Sequence, residues 1–495
     1  MSTIHGILER NARKFPEKEA FITANARLTY PQMNRIANQF ARFLQQEGID
    51  RQDRVAIIST NSEYFFFAYF ALMKIGAVPM PLNVKLTSGE MIPILENMET
   101  SSVLFESDFK LLIDDVHKYM TMSHRYSIEA SIEEAKGYTE ENLSLSINQS
   151  DVCEVMFTSG TTGVPKGAVF THERLIALAA GIAIEFQLSP KDRALTMMPL
   201  SHSAPLNDFF LAPFYCGASH IIGDFTPQGF LRFIHEERAT TTFAAPVAYL
   251  TAAKDPILTS FDLSSMRIFA YGGSPMPLAS YQLVSEAFQN NNFYQVYGLT
   301  EAGPNGCKLT PEEHHTKAGS IGKTPVINVE MKVVDEAGKE AADGAYGEIV
   351  IKGDSLMIGY YNDDEETEQT IRDGWLHTGD MAYVDEDGYM FIVDRKKDII
   401  VPGGVNVFPR EIEKVLTTHP DVYQVSVVGV VDATWGETVK AVIVREAEAS
   451  VTEKDLKAFF NERLADFKHP RIYRFVEELP HNASGKLLKQ KVKEL

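Results

Sequence analysis

The chain has 495 residues, 44% of them hydrophobic and 23% charged, with a formal net charge of -20 at pH 7. That length predicts more than one domain, and the composition is that of a globular protein. The acidic balance excludes a sequence-independent nucleic-acid binder, which needs basic surface against phosphates, but leaves room for small anionic ligands in a locally basic site.

Thr29-Tyr30-Pro31 predicts the start of an amphipathic helix, since proline suits a first turn, and Met33, Ile36, Phe40, Phe43 and Leu44 share one stripe. A short buried strand over 54–59 and an aromatic helix follow, with Asn61-Ser62 as cap residues and Gly76 as the stop before another strand at 78–82. Strand, helix and strand in this order predict a parallel α/β unit, which makes the aromatic helix core rather than a lipid site. Its most apolar run, 64–73, is too short to span a bilayer. The first twenty residues lack a signal-peptide core. Cys153, Cys216 and Cys307 are too few and scattered for a disulfide framework or a zinc spacing. A cytoplasmic setting is expected.

The densest cluster is Thr158-Ser159-Gly160-Thr161-Thr162-Gly163-Val164-Pro165-Lys166-Gly167, behind the apolar run 152–157. Glycines let a backbone come close to a ligand, successive N–H groups can cradle phosphate oxygens, and Lys166 adds a mobile cation. The loop is expected at the carboxyl end of a sheet, where open α/β folds place ligands. It is not a Walker A motif, which needs Gly-Lys-Ser/Thr opening a helix.

Further along, Met198-Pro199-Leu200-Ser201-His202 offers one histidine, a residue type most often held in structural hydrogen bonds. Strands over 268–271 and 293–296 end in Gly272-Gly273-Ser274-Pro275 and Tyr297-Gly298-Leu299-Thr300-Glu301. Two strands stopping at small residues can leave a flat slot for an adenine, with Tyr297 as one wall. Thr300 can bond a phosphate, and Glu301 offers the hard oxygens a divalent cation prefers. An alternating strand is predicted from Gly347 to Ile351. Asp373-Gly374-Trp375-Leu376-His377-Thr378-Gly379-Asp380 follows, and Asp380 could accept from both ribose hydroxyls. The charge run Asp394-Arg395-Lys396-Lys397-Asp398 reads as a linker. Strands at 422–430, 440–444 and 472–476 and a helix at 452–464 predict a separate small α+β module, closing with Asn482-Ala483-Ser484-Gly485-Lys486.

These stretches, in this order and spacing, resemble the adenylate-forming superfamily of acyl-CoA synthetases, peptide-synthetase adenylation domains and firefly-type luciferases. Asp-Gly-Trp-Leu-His-Thr-Gly-Asp followed by Val-Asp-Arg-Lys-Lys-Asp is most like bacterial fatty acyl-CoA synthetases. The resemblance implies a large N-terminal α/β domain with layered sheets (1–394) and a small mobile α+β domain (395–495), hinged near 395–398 at Lys397. It implies ATP, Mg2+ and coenzyme A as co-substrates and cofactor, with a small carboxylic acid as substrate, no nucleic acid and no transmembrane segment; a homodimer is left open. Lys486, Thr300, Glu301 and His202 would be catalytic, His202 as an acyl gate. Nucleotide contacts would come from Thr158, Ser159, Gly160, Thr161, Thr162, Gly163, Lys166, Gly272, Gly273, Ser274, Gln295, Tyr297, Gly298, Asp380 and Arg395. Thr158 and Glu301 would hold the metal, and Gly403 and Gly404 the coenzyme A arm. A medium- or long-chain fatty acid is the expected substrate, from the apolar stretches 202–214 and 243–250 and the repulsion that a charged Asp208 would offer a second carboxylate. Aryl or dicarboxylic acids, and a carrier-protein thiol as acceptor, are the alternatives.

Overall fold

In the computed structural model, residues 2–158, 165–432, 435–461, 463–481 and 487–495 are described. The fold is mixed α/β, with a large N-terminal domain and a smaller C-terminal one. By packing, the chain forms two compact units, Met1–Met331 with Ile351–His377, and Lys332–Val350 with Thr378–Leu495. The cuts fall inside the strands Val329–Val334, Gly347–Gly353 and Trp375–Val384.

The first unit is layered. An eight-stranded sheet has the order Cys307–Leu309, Phe293–Tyr297, Ile268–Tyr271, Thr241–Ala244, Arg193–Thr196, Ser219–Ile222, Glu19–Ile22, Arg27–Thr29. Its six inner strands are parallel and its two edges antiparallel. A four-stranded parallel sheet is built from Val78–Pro81, Arg54–Ile58, Ser102–Phe105 and His124–Ser127. Between its strands runs the aromatic helix Glu63–Ile75, in which Phe65, Phe66 and Phe70 are at most 2% exposed, so it is core. Phe66 meets Phe210 with ring centroids 4.3 Å apart.

Local chemistry explains the helix starts. The helix Tyr30–Gln46 has a reciprocal cap: Gln32 N–H donates to the Thr29 hydroxyl at 3.3 Å, and Thr29 N–H donates to Gln32 Oε1 at 2.7 Å. Asn61 does something other than cap. Its amide donates to the carbonyls of Met198 and Gly223 and accepts from Leu200 N–H, tying the aromatic helix to the segment that carries His202.

In the second unit, Val422–Asp432 and Gly436–Arg445 pair antiparallel and Ile472–Val476 joins parallel. The helix Glu453–Phe460 has Thr452 and Asp455 as its capping box and stops four residues short of the expected end. The strand Gly347–Gly353 does not alternate: Gly347 through Ile351 are all buried. Among the described residues, no helix is long and apolar enough to cross a membrane.

Candidate active site

The Gly/Thr-rich cluster is held by a hairpin rather than by a strand-to-helix turn. Val152–Thr158 and Lys166–Thr171 pair antiparallel, with Thr158 opposite Lys166, and Gly359–Tyr360 adds a third strand. The strand leading into the cluster thus belongs to a small antiparallel sheet rather than to the parallel sheet of an open α/β fold. Ser159, Gly160, Thr161, Thr162 and Gly163 lie outside the described residues, as does Lys486.

Glu301 sits in a 3-10 turn, Thr300–Ala302, with its carbonyl accepting from Met357 N–H at 2.9 Å. The Tyr360 hydroxyl donates to Glu301 Oε1 at 2.8 Å. Burial, and then the Glu301 charge, push the Tyr360 phenol pKa up, so it keeps the proton it donates to Glu301. The Tyr360 ring also lies 5.4 Å beneath the Lys166 ammonium, a cation–π distance. Lys166 pairs with Glu366 at 2.7 Å. The structure thus joins Lys166 and Glu301 through one tyrosine that the sequence reading did not single out. Thr158, Thr300 and Glu301 are all half-buried hard-oxygen donors. Among the described residues Glu301 accepts through Oε1, and its other carboxylate oxygen is a hard donor of the kind a magnesium ion takes.

The two parallel strands end side by side. Tyr271 and Gln295 are register partners on Ile268–Tyr271 and Phe293–Tyr297. Gly273 and Ser274 are exposed beyond the first strand. Gly298 is forced to be glycine, because a Cβ there would lie 1.7 Å from the Pro304 carbonyl oxygen. Gln295 is 4% exposed and faces the Tyr271 hydroxyl, which also meets His314 Nε2 at 2.8 Å; its amide is engaged inside the fold. Tyr297 is buried as well, with Gly306 against its ring and carbonyl.

The apolar stretch 202–214 begins at His202, an exposed residue whose imidazole pKa is lowered by partial desolvation of the ring. A π-helical turn follows, Ala204–Asp208, of the sort that recurs at functional sites. Phe209 stacks on Phe243 at 4.8 Å, and Phe243 in turn borders Gly272 and Val296. In the stretch 243–250, Ala244 and Ala248 are packed with Tyr249 in a core cluster. Asp208 is 2% exposed and forms no hydrogen bond among the described residues. Desolvation pushes its carboxyl pKa well up, which works against the charge that would repel a second carboxylate. Behind the turn, Asn207 donates to Glu154 at 2.8 Å and Tyr69 donates to its other oxygen at 2.7 Å. Glu154, a lone charge in an apolar run, was the legible signal for this network. Burial pushes its carboxyl up to about 7.

In the second unit, Asp380 and Arg395 face each other across paired strands with an ion pair of 2.6 Å. Arg395 also donates to the Thr378 carbonyl. Lys396–Asp398, containing Lys397, is a 3-10 turn. Lys396 pairs with Glu348 at 3.0 Å and Asp398 with Lys489 at 3.1 Å. Gly403 has φ +59° and its N–H donates to the Trp435 carbonyl; a Cβ there would strike the Trp435 ring at 2.8 Å. Gly404 follows in the same turn.

An antiparallel hairpin flanking the Gly/Thr-rich cluster, the half-buried Thr158, Thr300 and Glu301, and the adjacent ends of two parallel strands lie on a layered α/β fold with a smaller C-terminal domain. The chain belongs to the AMP-binding enzyme family, which matches residues 8–361, with the AMP-binding enzyme C-terminal domain matching 411–486. It is 35% identical over 486 residues to a feruloyl-CoA synthase of Amycolatopsis sp, covering 98% of this chain and 97% of that protein. It is 32% identical over 501 residues to the long-chain-fatty-acid–CoA ligase FadD13 of Mycobacterium tuberculosis, covering 100% and 98%. Among solved structures it is similar to o-succinylbenzoate coenzyme A synthetase (MenE) from Bacillus subtilis in complex with ATP and magnesium ion, with a TM-score of 0.88, 27% identity and coverage of 98% and 99%. The chain is an ATP-dependent acyl- or aryl-CoA ligase of this family, whose CoA ligases use ATP, Mg2+ and CoA.

Proposed function

We propose that the protein is a medium- or long-chain fatty acid–CoA ligase. The observation that supports an apolar acid is the wall made by Phe209 stacked on Phe243 beside Gly272, downstream of His202. In the first half-reaction a carboxylate oxygen attacks the α-phosphorus of ATP, the α–β bridging P–O bond breaks, and pyrophosphate leaves. In the second, the CoA sulfur attacks the acyl carbonyl, its C–O bond breaks, the thiol proton passes to solvent and AMP leaves.

The difficulty is electrostatic, since two anions must meet and charge gathers on the phosphoryl oxygens. Preorganised cations offset it best. In this reading Lys166 and Thr300 bind phosphate oxygens, and Lys486 serves the α-phosphate and carboxylate during adenylation only. A bound Mg2+ would supply further neutralisation, held by Thr158 and Glu301. His202 is the gate beside the acid, and the desolvation that lowers its pKa favours the neutral imidazole. Gly272, Gly273, Ser274, Gln295, Tyr297 and Gly298 border the base, and Asp380 and Arg395 take the ribose, exchanging their mutual ion pair for its hydroxyls. Gly403 and Gly404 border the pantetheine arm. The mobile part is taken to begin at 395, with Lys397 as the hinge.

A second reading, an aryl acid, is favoured by the same stacked pair, which also suits a flat ring, and by the feruloyl-CoA synthase likeness. A pyrophosphate-release screen across fatty, aryl and dicarboxylic acids, with CoA, a carrier protein or neither, tests both. Fatty acids should lead, and thioester should form on CoA.

A further inference from the structure

The Lys166 side chain is only 18% exposed and its ammonium is engaged by Glu366. This is not a chance meeting of two long surface side chains. Glu366 stands in the first turn of the helix Asp364–Thr370, where its N–H donates to the Asp363 side chain at 3.1 Å. The next residue, Thr367, accepts from Tyr360 N–H at 2.9 Å and donates to the Asp363 carbonyl at 2.8 Å. Tyr360 pairs with Ala168, and Tyr361 N–H donates to the Gly167 carbonyl, on the strand that Lys166 opens. Glu366 is therefore tethered to the strand of its partner by a short hydrogen-bonded path, and Tyr360 supports the ammonium from below.

We propose that Glu366 is a built-in stand-in for a phosphate: it holds Lys166 when the nucleotide is absent and competes for that ammonium first with ATP and then with pyrophosphate. The proposal rests on Lys166 being a phosphate-binding lysine. Carboxylate and phosphate oxygens offer an ammonium the same charge-assisted hydrogen bond, and the two anions repel each other around its single charge, so each weakens the other's hold. A competitor inside the protein weakens ground-state binding of the triphosphate, and recapture of Lys166 speeds the loss of pyrophosphate. The effect is bounded by what a partly exposed ion pair contributes, about 0.2–1 kcal/mol, or up to about fivefold in affinity.

The test is direct binding of MgATP, and inhibition by inorganic pyrophosphate, on the full chain. Glu366→Gln should lower both constants about two- to fivefold, and the gain should vanish in a Lys166→Ala background. Glu365→Gln is the control: it removes the same charge from the same helix turn, but its side chain contacts Gln369. It should change neither constant, and thermal melts check that each variant is folded. Unchanged or weaker binding in Glu366→Gln, an equal gain without Lys166, or an equal gain in Glu365→Gln would each overturn the proposal. If Lys166→Ala alone leaves MgATP binding intact, the phosphate-lysine reading itself fails, a result distinct from a silent Glu366.

Discussion

The hydroxyl of Tyr360 donates to the carboxylate of Glu301 at 2.8 Å, from a residue 59 positions further along the chain. That bond fixes one oxygen of the carboxylate read as the metal holder and leaves the other for a cation. Tyr360→Phe should raise the MgATP concentration needed for half-maximal adenylation about tenfold, as expected for losing a hydrogen bond to a charged group. The maximal rate should fall less. A Mg2+ titration of pyrophosphate release reads the effect, and an unchanged titration would make the bond incidental.

Glu154 gives a pH signature. Its carboxyl is pushed up to about 7 from an ordinary 4.5, so the folded state keeps the proton longer than the unfolded chain. The native state is therefore favoured most below about 4.5, and this contribution is lost as pH rises toward 7, at most roughly 3 kcal/mol. Glu154→Gln stays neutral throughout and should show a flatter melting temperature between pH 5 and 8. A wild-type slope retained in the variant would place the titration elsewhere.

Lys486 is assigned to adenylation alone. Lys486→Ala should slow pyrophosphate release about a hundredfold or more, the scale of losing a preorganised transition-state donor. Thioester formation from supplied acyl-adenylate should change little; equal damage to both halves contradicts the assignment.

Lys397 occupies the middle of a 3-10 turn. Proline there removes an N–H and disfavours the helical backbone of Lys396 before it, so Lys397→Pro should confine the linker to fewer arrangements. Adenylation is expected to persist while CoA transfer drops. Normal rates in both half-reactions would move the hinge to another residue.

Much of this was legible because it is local. The Thr29 cap, the turn at Asp373-Gly374, where both residues have positive φ between paired strands, and the aromatic core helix follow from spacing and residue type alone. What escaped was long-range. Tyr360 and Glu366 look like an ordinary strand end and an ordinary acidic helix start. Only the register of Gly359–Tyr360 against Lys166–Thr171 brings them to Lys166. Asp208 was read as charged because aspartate usually is; its burial, which pushes the carboxyl pKa up, is set by long-range packing. The stretch 243–250 was read as pocket lining, whereas Ala244 and Ala248 are packed in the core with Tyr249.

The most direct test of the account is kcat/KM for thioester formation across saturated acids from four to sixteen carbons, set against ferulate and succinylbenzoate. An apolar wall gains about 0.8 kcal/mol per buried CH₂, which is up to about fourfold per carbon. The values should climb steeply and then level off where the pocket ends. An aryl or dicarboxylic acid surpassing every fatty acid would contradict the fatty-acid reading while leaving the adenylating chemistry in place.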